Sequence, residues 1–436
     1  MARQDLQGRL ALRCRRRVPC CLADRLPDHR VVVAGAVNLS PRRGWGLVTT
    51  TGILTGFGHG FAAFAVSALL KPIAVDLDTG RGAVSTAIGL GRLASGVISP
   101  VVGRLTDLSG ARPVVAMGMI LTAVGLVTLG MVRTEIGLNL AWSLLVSVGV
   151  AAGFTVALDK IVVGAVRERR GMALAIRFSV AAVVSTLLVP LVTILVETIG
   201  WRQTCFVWAA IVLALLPVPL LMFSADRTDP HPTPRPHRAP DAGGVLDVLG
   251  RPVFWLIAFS FMAQAAVVTG LSVRLVALMT DNGLAAPLAG TIFGAMILLS
   301  IPVRLLAGQI ADRAPIAILP LFLAGLLLFE AAAIASFALF PSFVTMLVIV
   351  VALGIGAGAP TIVVLLLCAH LFGESRFATV QGSLMFFQVP GTMGAPILAG
   401  LAYDRLGDYR AATAFFAATL ILAAFSMALV RPGRPA

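Results

Sequence analysis

Apolar residues along this chain gather into long runs, and charged or turn-forming residues collect between them. A helix needs about 20 apolar residues to cross the hydrocarbon layer of a membrane. Runs of that order predict helices over residues 46–70, 83–103, 112–132, 138–165, 172–196 and 201–223, and again over 253–279, 286–307, 315–339, 342–369, 377–401 and 411–430. The stretch between the sixth and seventh runs differs in kind. Pro230, Pro232, Pro234 and Pro236 alternate with polar residues there, a pattern that favours extended, solvated chain. The predicted organisation is a basic, disordered tail over 1–44, a six-helix bundle over 45–223, a Pro-rich linker over 224–252, a second six-helix bundle over 253–430 and a short tail over 431–436.

Composition moves the whole chain into lipid. It is 58% hydrophobic and 12% charged, with a mean hydropathy of +0.96, whereas soluble domains are about a quarter charged. The net charge of +14 would suit nucleic acid if it were clustered on one face, but residues 1–44 hold half of it, ten Arg against three Asp. Most of the remainder lies in short loops. One set of loops holds Arg104, Arg112, Arg167, Arg169, Arg170, Arg227, Arg235, Arg238, Arg251, Arg313, Arg376, Arg431 and Arg434, and the other only Lys71, Arg81, Arg133, Arg202, Arg405 and Arg410. Basic loops stay in the cytosol, so the first set, both termini and the linker are predicted to be cytosolic in a multi-pass protein of the inner (plasma) membrane.

The cysteines imply no framework. Cys14, Cys20 and Cys21 fall in the basic tail, and Cys205 and Cys368 inside apolar runs, which suits neither a disulfide set nor zinc. Val31–Val37 is too short, and its flank too basic, for a secretory signal. Neither a metal-ligand cluster, a Gly-x-Ser-x-Gly elbow nor a phosphate loop is written in the chain. The expectation is therefore no enzyme, no cofactor and no metal, and uphill work driven by an ion or solute gradient.

The two halves repeat. Gly89, Gly103 and Asp107 recur as Gly294, Gly308 and Asp312, each 205 residues later. Parallel six-helix repeats with a substrate between them are a known transporter plan. The string Gly103-Arg-Leu-Thr-Asp107-Leu-Ser-Gly110-Ala-Arg112 resembles the signature loop of the major facilitator superfamily, with Leu108 where that signature is basic. The resemblance spans about residues 45–430 and implies an all-α membrane protein, twelve transmembrane helices in two pseudo-symmetric bundles. It also implies that contacts of Gly103, Asp107, Arg112, Gly308, Asp312 and Arg313 shut one end of a central cavity in one state and break in the other. Within the superfamily the chain is most similar to the monocarboxylate and oxalate–formate porters. Arg304 stands four residues before Gly308, where that group places a substrate-carboxylate arginine. Ser300 replaces the Asp of animal monocarboxylate porters, and their helix-one lysine has no counterpart.

Charges inside a span are costly and mark candidate sites. Arg304 lies eight residues before Asp312, about 12 Å into the membrane, where it could hold a carboxylate through a bidentate pair. His59 lies mid-depth on the first helix, as a substrate or proton group or as a satisfied core residue. Arg92 and Arg274 lie toward the outer side, lining the cavity or snorkelling. Asp159 and Arg177 fall at equal depth on adjacent antiparallel helices, so a buried pair, shared with Lys160, is predicted. It reads as structural first and as a gate or proton-sensitive switch second. Gln264, Asn282, Gln381 and Gln388 are further polar candidates, and Glu330 on the ninth helix has no evident role. The surplus of Arg92, Lys160, Arg177, Arg274 and Arg304 over Asp159 and Glu330 favours an anion. The resulting expectation is a monomeric secondary transporter of a small, carboxylate-like organic anion, with a proton or counter-solute as coupling partner. The alternative is a porter or efflux pump for a neutral or cationic compound, which needs Asp159 or Glu330 to face the cavity.

Overall fold

The computed structural model describes residues 41–79, 81–222, 245–281, 283–406 and 410–431, and every regular element among them is helical. Twelve long helices follow one another: α1 over 41–76, α2 (Arg81–Ser109), α3 (Ala111–Met131), α4 (Glu135–Ala165), α5 (Arg170–Ile199), α6 (Trp201–Met222), α7 (Pro252–Asp281), α8 (Ala286–Arg313), α9 (Leu319–Leu339), α10 (Phe343–Phe372), α11 (Phe377–Leu406) and α12 (Arg410–Ala428). Ten of them are long and apolar enough to cross a membrane. The other two are α1 and α11, both interrupted by glycine and proline.

Two boundaries differ from the sequence reading. Helix α1 begins at Pro41, inside the segment expected to be a disordered tail. Val245–Leu249 forms a helical turn inside the expected linker. The turn is held because Val248 is buried and Asp247 pairs with Arg376. The rest of the expected tails and linker, with Cys14, Cys20, Cys21 and Asn282, lies outside the described residues.

Each half has its own apolar core. One buried cluster is built from α1 to α6, around Leu54, Met119, Phe154 and Trp208. The second is built from α7 to α12, around Phe254, Leu327, Leu353 and Phe416, and it reaches across to Val48, Val162, Val163 and Ala173 of the first half. Contacts inside the halves repeat with a period of six helices. The pairs α1–α5, α2–α4 and α3–α6 recur as α7–α11, α8–α10 and α9–α12. Across the halves, α2 lies along α11 and α8 lies along α5.

Small residues permit the closest approach. Gly52, Gly56 and Gly60 are spaced by four, so they share one face of α1. A Cβ on Gly52 would lie 2.8 Å from the Arg177 carbonyl oxygen, and one on Gly56 2.5 Å from the Val184 Cβ. Such a stripe lets helix backbones meet where lipid supplies no hydrophobic drive. The repeat also shows at the helix ends. Arg202 of α6 donates to the carbonyls of Gly130 and Val132 at the end of α3, at 2.9 and 2.6 Å. Its counterpart Arg410 of α12 donates to the Ala338 carbonyl at the end of α9, at 3.0 Å.

Candidate functional site

A cavity of about 420 Å³ lies between the halves, walled by α1, α2, α4, α7 and α11. His59 and Arg92 are the ionisable side chains in its wall, and no carboxylate is among the described lining residues. Ser95, Thr269, Gln388 and Thr392 add neutral hydrogen-bonding groups, and Trp142 supplies an aromatic face.

Three irregularities bend the backbone at this cavity. Helix α1 runs as a π-helix over Phe61–Ala65, beside His59, and Ala62 and Ala63 line the wall. Helix α4 runs as a π-helix over Ala141–Ser147, placing Trp142 and Ser147 in the wall. Thr155 breaks α4 outright with φ −124 and ψ −96, and it too lines the cavity. π-turns collect at functional sites because they re-aim side chains at a cost in helix regularity. Gly58 and Gly60 precede the turn in α1, and Gly149 and Gly153 precede the break at Thr155, but the apolar runs predict α1 and α4 as continuous helices.

Below the cavity, Arg177 and Asp159 form the expected buried ion pair, 0% and 1% exposed. The Arg177 fork also donates to Thr55 Oγ1 at 2.9 Å and to the carbonyls of Phe154 and Thr155 at 3.4 and 3.3 Å. Gln381 of α11 donates to the second Asp159 oxygen at 2.6 Å, which ties the pair to the other half. Lys160 does not share this pair as the sequence reading expected. A helix turns about 100° per residue, so Lys160 points elsewhere from Asp159, and its Nζ meets Asp107 at 2.7 Å.

Asp107 and Asp312 perform the same task in the two halves. The Asp107 carboxylate, at the end of α2, accepts from the backbone N–H of Ala378 and Thr379 at 3.3 and 2.7 Å and from Thr379 Oγ1 at 2.6 Å, at the start of α11. The Asp312 carboxylate, at the end of α8, accepts from the N–H of Gly171 and Met172 at 2.6 and 2.8 Å, at the start of α5. Each acid thus caps a helix of the opposite half, where free N–H groups and the helix dipole favour negative charge. Gly103 and Gly308, one turn earlier, make the approach possible. A Cβ on Gly103 would collide with the Ala378 carbonyl, and one on Gly308 would lie 2.5 Å from the Gly171 carbonyl oxygen. Glu374 adds a further cross-half tie to Arg167 and Arg170. Arg112 and Arg313, expected to join this closure, form no ion pair with a described residue; the cation beside Asp107 is Lys160.

The four expected substrate residues are dispersed. His59 and Arg92 come together at the cavity. Arg304 is not among the residues lining it. It is half-buried between α8, α5 and α10, donating to the carbonyls of Phe178 and Ala357 at 3.3 and 3.2 Å. Arg274 lies in α7 with its side chain outside the described residues. Cys205 and Cys368 are free and buried.

Comparisons with known proteins agree on the architecture and diverge on cargo. The family model described as Major Facilitator Superfamily matches residues 52–388. The chain is 27% identical over 384 residues to a Homo sapiens protein named monocarboxylate transporter 11, covering 85% of this chain and 80% of that one. It is 28% identical over 412 residues to an MFS-type efflux pump of Mycolicibacterium smegmatis, covering 91% and 93%. Among solved structures, the E. coli fucose:proton symporter superposes with a TM-score of 0.67 at 13% identity, over 88% of this chain and 97% of that one.

Proposed function

The chain belongs to the Major Facilitator Superfamily, a multi-pass membrane transporter and not an enzyme, and on that premise we propose that it moves a small organic anion of the carboxylate class by secondary active, alternating access. The observation that carries the reading is the cavity wall. Arg92 and His59 face it with no carboxylate among its described lining residues, so its field attracts anions and repels cations. The acids that a cationic substrate would need are elsewhere: Asp159 is spent on Arg177 and Gln381, and Glu330 is buried inside the second half. The naming of one relative as a monocarboxylate transporter supports the same class.

In this reading the conformation is closed toward the cytosol and the cavity serves the outer side. Asp107, Asp312 and Glu374 hold the basic end shut, and the excess of arginine in its loops assigns it to the cytosol. Arg92 receives the carboxylate in this state. Arg304 is the second cation. Its bond to the Phe178 carbonyl crosses between the halves, so parting the halves at the cytosolic end frees the guanidinium for the anion. The expected working unit is a monomer with both termini in the cytosol.

Ligand-induced thermal stabilisation of purified protein tests the reading, because a ligand that binds only the folded state raises apparent stability. Lactate or pyruvate is expected to stabilise wild type and to lose that effect in Arg92→Gln. Equal stabilisation of the variant would remove Arg92 from the site. Stabilisation by organic cations with none by carboxylates would favour the porter or efflux-pump alternative.

A further inference from the structure

Glu330, in the middle of α9, is 1% exposed, and neither of its carboxyl oxygens has a hydrogen-bond partner among the described residues. Gln264 of α7 is 5% exposed, and both of its amide atoms are likewise unpartnered. The two side chains meet over Gly356 of α10. A Cβ added there would lie 2.6 Å from each Glu330 oxygen and 2.7 Å from Gln264 Nε2. The glycine thus makes the space that the acid and the amide occupy, and their four polar atoms are gathered inside the second half.

An ionised carboxylate facing one amide donor and no counter-cation is not sustained in such a place. Arg304 of α8 reaches α10 one residue from Gly356, but its guanidinium donates to the Ala357 and Phe178 carbonyls. Cys368 and His370 of α10 and Arg410 of α12 stand by helical rise about 12 Å or more along from the pair. One carboxyl and one amide oxygen are also too few ligands for a metal cation, which takes about six. A proton removes the buried charge and lets the two groups pair. The protonated acid offers one O–H donor and one carbonyl acceptor, and the primary amide offers an N–H donor and a carbonyl acceptor. Set head to head, the two groups satisfy each other.

We propose that Glu330 and Gln264 form a proton-binding site of the second half, occupied in this conformation and emptied when α7 shifts against α9 and α10. Helix α7 connects the site to the transport path. Its Thr269 lines the central cavity, five residues from Gln264 and about 140° round the helix, so the pair lies behind the cavity wall on the far face of α7. On release the O–H bond of Glu330 breaks, its electron pair stays on the carboxylate, and the proton passes to water admitted between α7, α9 and α10 as they part. The site would couple substrate movement to a proton gradient. It does not depend on the substrate being an anion.

Infrared titration of the purified full-length protein tests this without any substrate. Wild type is expected to show the C=O stretch of a protonated carboxylic acid at neutral pH. That band should vanish reversibly in alkali, with a matching gain of carboxylate absorption. Glu330→Gln, which keeps the shape and the complementary pairing and so the fold, is expected to lack that band. Gln264→Leu is expected to keep it at a shifted frequency, because the amide partner is gone. Spectra identical between wild type and Glu330→Gln would overturn the proposal. So would an acid band that persists through alkali until the protein unfolds, since that describes a permanently neutral structural group and not an exchanging site.

Discussion

Removing the Asp107 carboxylate should unlatch one end of the molecule. The acid receives three hydrogen bonds from the opposite half, two from the first backbone N–H groups of α11 and one from the Thr379 hydroxyl. It is only 8% exposed, so water screens these bonds little in the closed state. A hydrogen bond to a charged group contributes roughly 1.5–3 kcal/mol, and a charge at a helix N-terminus up to about 2 kcal/mol. Water takes over these roles once the halves separate, so the net preference for closure is well below their sum, roughly 2–3 kcal/mol. That corresponds to about a 30- to 150-fold change in the ratio of closed to open molecules. Arg104 and Ser375 are exposed and sit on opposite halves at this end. Spin labels on cysteines at these positions, in a background lacking the five native cysteines, report the gap by pulsed electron resonance. Asp107→Ala is expected to move the distance distribution to longer values, with Asp107→Asn between it and the parent. A distribution unchanged by Asp107→Ala would refute the idea that this cap holds the halves together.

By the same symmetry, Asp312→Ala should widen a label pair placed across α8 and α5, and the double variant with Asp107→Ala should open the molecule further than either alone; an inert Asp312 would mean that the two caps are not equivalent. Asp159→Asn leaves Arg177 buried with its charge unpaired and should destabilise the protein by about 3–5 kcal/mol, seen as a lowered thermal midpoint that the double variant with Arg177→Met partly restores. Gly56→Val places a branched side chain against Val184 and should abolish monodisperse protein in size-exclusion chromatography, whereas Gly46→Ala, with no atom within 4 Å of the new Cβ, should behave as wild type.

Much of the architecture was legible because lipid simplifies the code. An apolar run of the right length has few outcomes but a spanning helix, and the 205-residue offset of Asp107 and Asp312 exposed the repeat directly. Depth arithmetic paired Asp159 with Arg177, since two helices leaving one short turn carry a common ruler. The same arithmetic gave depth but no azimuth. It assigned Lys160 to the wrong acid, and it put Arg304 at mid-membrane without showing that its guanidinium turns to carbonyls of α5 and α10. The recipients of Asp107 and Asp312 were not legible either. They are backbone N–H groups at the starts of α11 and α5, which every helix possesses and no residue type marks. The π-turns of α1 and α4 and the break at Thr155 were not legible, because the glycines near them, Gly58, Gly60 and Gly153, occur as often in unbroken stretches of these helices. Glu330 was visible as a charge but unexplained, because Gln264 and Gly356 lie on other helices.

The most direct measurement is uptake of radiolabelled lactate or pyruvate into proteoliposomes containing wild type or Arg92→Gln protein. Saturable uptake by wild type, competed by other small carboxylates and lost in the variant, is the expected result. Wild-type vesicles no better than protein-free vesicles for any carboxylate, under gradients of either direction, would contradict the anion assignment.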